Sequence, residues 1–278
     1  VSVSIGDNTS VRRRPGLVLD KSAISVGQRV EILGTLTSAP ADVTTTLDAT
    51  AGRVRLLVTH VAGLVVGSNP GQVDVNLTSI ERRPVSIFDF DGTGLSSAVD
   101  ADPSDYEVAT GDLPLGDIAA GDAVRLFGFV QPFGAAPQDF NAFTVVGLST
   151  RGARLALGWR PEGTTAPFSS LGPDVLVPDL ANPEIGARHV ILIGGVPIDL
   201  LGLPAAPTLS PPVNGRTRYA ILDGQRVLVF PDFASLVTGL GERLNGHTKA
   251  YGLWAEGAWD AGANTFTARI ISVHLSTD

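Results

Sequence analysis

Ile24-Ser25-Val26-Gly27-Gln28-Arg29-Val30-Glu31-Ile32-Leu33-Gly34-Thr35-Leu36 and Ile118-Ala119-Ala120-Gly121-Asp122-Ala123-Val124-Arg125-Leu126-Phe127-Gly128-Phe129-Val130 are two versions of one phrase. Each reads apolar, two residues, glycine, polar, any, valine, charged, apolar, bulky, glycine, and then continues as a strand. The first glycine predicts a tight turn, because a positive φ is cheap only without a Cβ. The residues after it alternate as a strand does. The second glycine falls in mid-strand, where it predicts a bulge or a sharp bend, the device by which a small barrel closes on itself. A weaker third copy, Leu240-Gly241-Glu242-Arg243-Leu244 followed by Thr248-Lys249-Ala250-Tyr251-Gly252-Leu253-Trp254, aligns Gly252 with Gly34 and Gly128. The copies are unevenly spaced, so this is a degenerate repeat with insertions and not a solenoid.

The rest of the chain fits short strands joined by turns. Its 278 residues include 32 Gly and 19 Pro, which punctuate runs rich in Val, Ile, Leu, Phe and Thr. The second and third copies continue into return strands, Asp139 to Val146 and Thr265 to Val273, the latter after the turn Asp260-Ala261-Gly262-Ala263-Asn264. One short helix is expected, with Asp232 as N-cap and Phe233, Leu236, Val237 and Leu240 on one face; Gly239 and Gly241 limit it to two or three turns. The expected fold is all-β: tandem small antiparallel β-barrel modules, oligonucleotide-binding (OB)-like, with at most one or two short helices. The modules are placed at residues 1–70, 71–150 and 151–278, the third with inserted Pro/Gly-rich loops. The first is short of its opening strands unless Val1 to Ile5 supply one.

The third module, with Tyr219-Ala220-Ile221-Leu222, the turn Asp223-Gly224, Arg226-Val227-Leu228-Val229-Phe230 and the Thr-Ala-x-x-Ile return strand Thr267 to Ile271, resembles the small β-barrel repeats of exported bacterial lipoprotein-type proteins with tandem OB-like domains of unknown function. The likeness is best over about 219 to 275 and about 73 to 149. The family supplies no catalytic residues. The resemblance implies export, with periplasmic, outer-membrane-associated or extracellular location, and a role in binding or assembly.

Composition bounds the function. Hydrophobic residues are 44% and charged residues 17%, a globular balance. Lys+Arg is 20 against Asp+Glu 28, a formal net charge of -8, which argues against nucleic acid as a partner. The basic run Arg12-Arg13-Arg14 beside Pro15 reads as a solvated turn. There is no Cys, hence no disulfide or thiolate chemistry, and no Met; a chain beginning Val1-Ser2-Val3-Ser4 reads as a processed product or an excerpt, which leaves room for a lipid anchor upstream. No apolar run is long enough for a transmembrane helix.

Several motifs invite chemistry. Val85-Ser86-Ile87-Phe88-Asp89-Phe90-Asp91-Gly92-Thr93 matches the first motif of haloacid-dehalogenase-type phosphotransferases, and Asp112 with Asp117 imitates their late acidic pair. That chemistry needs a helix-wrapped parallel sheet, which the flanking sequence has no room to build. A magnesium-dependent phosphohydrolase is therefore the least favoured function. Asp89, Asp91, Asp100, Asp102 and Asp105 form a candidate Ca²⁺ site, since hard cations take oxygen-rich loops, although the same residues also build plain turns. Asp89 and Asp91 would share one strand face, with Phe88 and Phe90 on the other. The histidines His60, His189, His247 and His274 show no metal-binding spacing. Trp254 and Trp259 form a candidate sugar platform, and the segment Leu203 to Gly215 a lid or strap.

With no catalytic constellation, the leading expectation is a non-catalytic structural or interaction protein with protein partners or self-association. Val1, Val3 and Ile5, alternating with Ser2 and Ser4, form an assembly strand able to add to a neighbouring edge, or else to pair within its own module. The alternative is a module that binds a saccharide, a lipid or Ca²⁺.

Overall fold

In the computed structural model, residues 1–14, 17–37, 45–116, 118–224, 226–244, 246 and 248–277 are described; Asp117 and His247 lie outside them. The chain is all-β, with three hydrogen-bonded sheets and one α-helix among the described residues. It divides into two compact units: Val1–Ala120 with Val124–Gly147, and Gly121–Ala123 with Leu148–Asp278.

The first unit holds two sheets. The first sheet contains β1 (Ser2–Ser4), β2 (Ser10–Arg14), β3 (Leu17–Leu19), β4 (Val30–Thr37) and β5 (Thr46–Leu56). β5 is long enough to take β1 and β2 in succession along one side, both parallel, and β4 antiparallel. The second sheet contains β6 (Thr59–Asn69), β7 (Gln72–Ile80), β8 (Arg83–Pro84), β9 (Tyr106–Ala109), β10 (Ala123–Val130) and β11 (Phe140–Gly147). Its order is β6-β10-β11-β9-β7-β8, and β6 also pairs β7, so five strands form an unbroken cycle of neighbours. β9 and β11 are parallel; β10 and β11 are antiparallel. The sequence reading put residues 59 to 69 before the second module. As β6 they hydrogen-bond to β7, because Val61 and Val65 alternate onto the core that Val73, Val75 and Leu77 share.

The second unit holds one sheet of ten strands: β12 (Ala153–Trp159), β13 (Phe168–Gly172), β14 (Val175–Pro178), β15 (Ile185–Ile193), β16 (Val196–Asp199), β17 (Thr208–Ser210), β18 (Arg218–Asp223), β19 (Arg226–Phe230), β20 (Thr248–Asp260) and β21 (Thr265–Thr277). β21 takes β20 antiparallel and β18 parallel, repeating the β11 pattern, and β20 pairs on with β12. The Pro-rich segment is not a free lid: its middle is β17, pinned between β14 and β21 with Leu209 fully buried. The helix α1 (Phe233–Arg243) begins where the sequence puts it, the Asp232 carboxylate accepting from the backbone N–H of Ser235 at 2.7 Å. It runs through Gly239 and Gly241 and ends at Arg243. Gly239 serves packing, since a Cβ there would meet the Phe230 ring at 2.6 Å.

The repeated phrase behaves as its glycines require. Gly27 and Gly121 hold φ of 82° and 88°. Gly34, Gly128 and Gly252 each sit at a slip in register, between Leu33/Thr35, Phe127/Gly128 and Ala250/Gly252. Gly241 departs from the pattern because it is helical. The three-arginine run is not a turn. It belongs to β2, and the Arg13 guanidinium lies 3.9 Å from the centre of the Phe129 ring, a cation–π contact that a solvated turn would forgo.

Two glycine substitutions separate strand from helix. A Cβ at Gly128 would collide with the Asn141 carbonyl oxygen and stand 2.7 Å from the Phe140 ring. Gly128→Ala is expected to cost roughly 2 kcal/mol or more. Gly241→Ala, in open space on α1, is expected to add about 0.5–1 kcal/mol. Urea denaturation of both variants reads the two signs.

Candidate functional site

The aspartate-rich loop is built of turns. Val85–Ile87 is a 3-10 turn, and residues 88–91 that follow it are not a strand, so Asp89 and Asp91 do not share a strand face. The reason is aromatic packing: Phe90 is buried, its ring 6.3 Å from Tyr106 and 6.4 Å from Phe88. The carboxylates are turned onto nearby backbone. Asp89 accepts from Asp91 N–H (3.1 Å), Asp100 from Gly94 N–H (2.8 Å), and Asp102 from the N–H and hydroxyl of Ser104 (2.8 and 2.7 Å). The Asp89 and Asp102 backbone bonds are those of Asx-turns, and the Asp100 bond closes the loop back onto Gly94. Asp105 donates its N–H to the Asp102 carbonyl at 3.0 Å. Among the described residues no three His, Cys, Asp or Glu side chains converge to hold a metal. The tryptophans do not form a platform either. Five residues apart on β20, they face opposite ways, Trp259 buried and Trp254 at the surface.

One acidic residue missed by the sequence reading is more unusual. Asp139 is buried, its carboxylate accepting from Glu107 N–H at 2.9 Å and its own N–H donating to the Glu107 carbonyl at 2.8 Å. Burial pushes its carboxyl up to about 6; the negative charges of Glu107, Asp102 and Asp105 push the same way, and the Glu107 N–H bond opposes them. The aspartate loop therefore acts on Asp139 through its field.

Two features of the first unit stand out at its surface. The first is a strand edge. Among the described strands β4 pairs with β5 alone, whereas β10 pairs with β11 and β6, and β20 with β21 and β12. The core beneath the first sheet is correspondingly small: Val11, Val54 and Leu56 are its buried members. On β4, Leu33 is 57% and Leu36 65% exposed. Val1, Val3 and Ile5 are 88%, 39% and 41% exposed, and Ser2–Ser4 is already paired with Thr46–Asp48 of β5, the within-module alternative.

The second feature is a cleft of about 860 Å³ lined by Gln28 and Arg29 before β4, His60 on β6, Glu81, Arg82 and Arg83 at the end of β7 and the start of β8, Phe88, and Arg125 and Phe127 on β10. Glu81 anchors it. One of its oxygens accepts from His60 N–H at 2.8 Å and lies 3.0 Å from His60 Nδ1, while the other lies 3.6 Å from Arg29 Nη1. The His60 ring is 5.8 Å from the Phe127 ring. Ile80 pairs with Arg83, so Glu81 and Arg82 are the two central residues of a hairpin turn, with φ of 50° and 62°. Such turns favour Asn and Gly, and each side chain placed there costs on the order of 1 kcal/mol. The adjacent Arg82-Arg83 pair is the sequence signal that could have found this cleft.

No family model, curated protein or solved structure matches the chain.

Asp139 makes stability depend on pH. Its carboxyl is raised in the folded chain, so its contribution is fully present below about 4, the unfolded value, and is lost as pH rises through about 6. The loss amounts to as much as roughly 3 kcal/mol. Asp139→Asn is expected to flatten the stability profile between pH 4 and 6.5 and to raise stability at pH 7, read from urea midpoints across that range.

Proposed function

We propose that the chain is a non-catalytic, exported interaction protein of OB-like β-modules, and that it self-associates by strand addition to its first module. The exposed N-terminal strand Val1 to Ile5 of one copy adds along the open edge of β4 in another. The OB-like reading is supported by strand order. Taking β6, β7, β9, β10 and β11 as strands one to five, the cycle runs one-two-three-five-four with strands three and five parallel, the five-stranded Greek-key arrangement of such modules. In the second unit β12, β15, β18, β20 and β21 occupy the same roles, although β15 and β18 are not joined. The proposal of export rests on the likeness of the glycine-bracketed repeats to exported lipoprotein-type proteins.

The first sheet carries the proposal. β2 stands parallel to β5 as β9 stands to β11, and β4 antiparallel to β5 as β10 does to β11. The counterparts of β6 and β7 are missing among its described strands, and none of the described strands takes the second side of β4. Natural edges are blunted by lysine, proline or an inward charge. The stretch Ile32-Leu33-Gly34-Thr35-Leu36-Thr37 has neither charge nor proline; its bulge at Gly34 is the only such device. The donor is suited to the slot: Val1, Val3 and Ile5 alternate with serine, and three residue pairs hold the strand at home. An extended segment adding to a sheet edge gains main-chain hydrogen bonds along its length.

Light scattering on the purified chain tests this. The native chain is expected to form assemblies of two or more copies. Deletion of residues 1–8, and separately Leu33→Lys with Leu36→Lys, are each expected to return it to one copy while circular dichroism stays β-rich. A native chain that is monomeric at 0.1 mM, or assemblies that survive both changes, overturns the proposal.

A further inference from the structure

The cleft of the first unit carries a second inference, independent of strand addition. In a chain of net charge -8 it collects four guanidinium groups, Arg29, Arg82, Arg83 and Arg125, around one carboxylate, Glu81. That carboxylate is already engaged by the backbone and ring of His60 and by Arg29. It does not neutralise the two residues that follow it: Arg82 and Arg83 are exposed and form no ion pair among the described residues. Like charges gathered in a concave, partly apolar site raise the local potential and draw in counter-charge.

The backbone argues the same way. Arg82 holds a left-handed φ of 62° next to Glu81 at 50°. Asn-Gly would make this turn without strain. The chain instead keeps an acid that fixes His60 and Arg29, followed by two arginines at the cleft wall. Strain of this kind is retained where the side chains it presents are used. Guanidinium forks match the oxygens of phosphate and carboxylate groups, and the volume of about 860 Å³ is that of a small-molecule site. Phe88 and Phe127 supply its apolar surface.

The geometry points to a binding site for a small, multiply charged oxyanion, a phosphate or carboxylate compound carrying at least two negative charges. Arg82 and Arg83 capture it, and Glu81 sets the cleft by holding His60 and Arg29 in place.

Titration calorimetry of the full chain at low ionic strength, with inorganic pyrophosphate and with citrate as probes, tests the site. Saturable binding of at least one probe is expected, weakening as salt is raised. A preference for pyrophosphate assigns a phosphate compound, a preference for citrate a polycarboxylate, and equal binding a general oxyanion site. Arg82→Ser with Arg83→Ser is expected to weaken binding at least tenfold, and Arg226→Ser, on exposed β19 of the other unit, to leave it unchanged. Arg82→Gly separates binding from folding: glycine relieves the positive φ, so Tm is expected to rise while affinity falls. No saturable binding of either probe, or equal affinity in the native chain and the Arg82/Arg83 double variant, overturns the assignment.

Discussion

At Gly34, Gly128 and Gly257 the carbonyl oxygen of the facing strand, from Asp48, Asn141 and Thr267 respectively, occupies the space a Cβ would take. The strands can approach this closely only without a side chain, and at each of these points the pairing slips. At Gly128 the slip leaves Phe143 of β11 between paired positions and half-exposed, while Leu126 and Val130 stay on the core. A slip of this kind adds twist and bends the strand. In the second sheet the bending is enough for β6 to find both β7 and β10. The remaining features of the first unit are arranged on strands that glycine has bent.

A single buried amide organises the space between the two sheets of that unit. The two N–H groups of Gln28 Nε2 are shared among the carbonyls of Arg29 and Leu57 and the Thr59 hydroxyl, at 2.8, 2.7 and 2.9 Å, and its Oε1 accepts from Val130 N–H at 3.0 Å. A buried amide with its donors and acceptor used stabilises and specifies one arrangement, whereas any missing partner would carry a desolvation penalty. These bonds reach the residues flanking Arg29 and His60. The cleft is thereby placed by the same side chain that fixes the first sheet against the second.

Charge is distributed unevenly on this framework. Carboxylates bond to local backbone and hydroxyl groups: Asp20, Asp48, Asp102 and Asp232 accept bonds from the residues after them, and those bonds hold their carboxyls below the usual range. Arginines instead gather where β4, β7 and β10 come together, and Arg13 lies over Phe129. The acidic total thus conceals a local cationic surface. A net charge describes the long-range field, while recognition depends on which groups share a concavity.

Local rules were enough for much of this protein. Gly27 and Gly121 could be read as left-handed turns, Gly34 and Gly128 as breaks in strands, and Asp232 as a helix cap, because each is decided by the residue's own backbone freedom or by a bond to a neighbour three residues away. The all-β class follows from the same punctuation. The aspartate loop was legible as turn or metal site, and tertiary packing decided how it folds, by drawing Phe90 inward against Tyr106. Of the arginine cleft, the adjacent Arg82-Arg83 pair alone is legible in this way; the groups that converge around it, the buried Asp139 and the side of β4 that no described strand takes are not. Each depends on residues tens of positions apart: His60 meeting Glu81, Glu107 meeting Asp139, and strand neighbours that β10 and β20 have and that β4 lacks among the described strands. Strand pairing brings such groups together, and which strands pair is a property of the whole chain's burial.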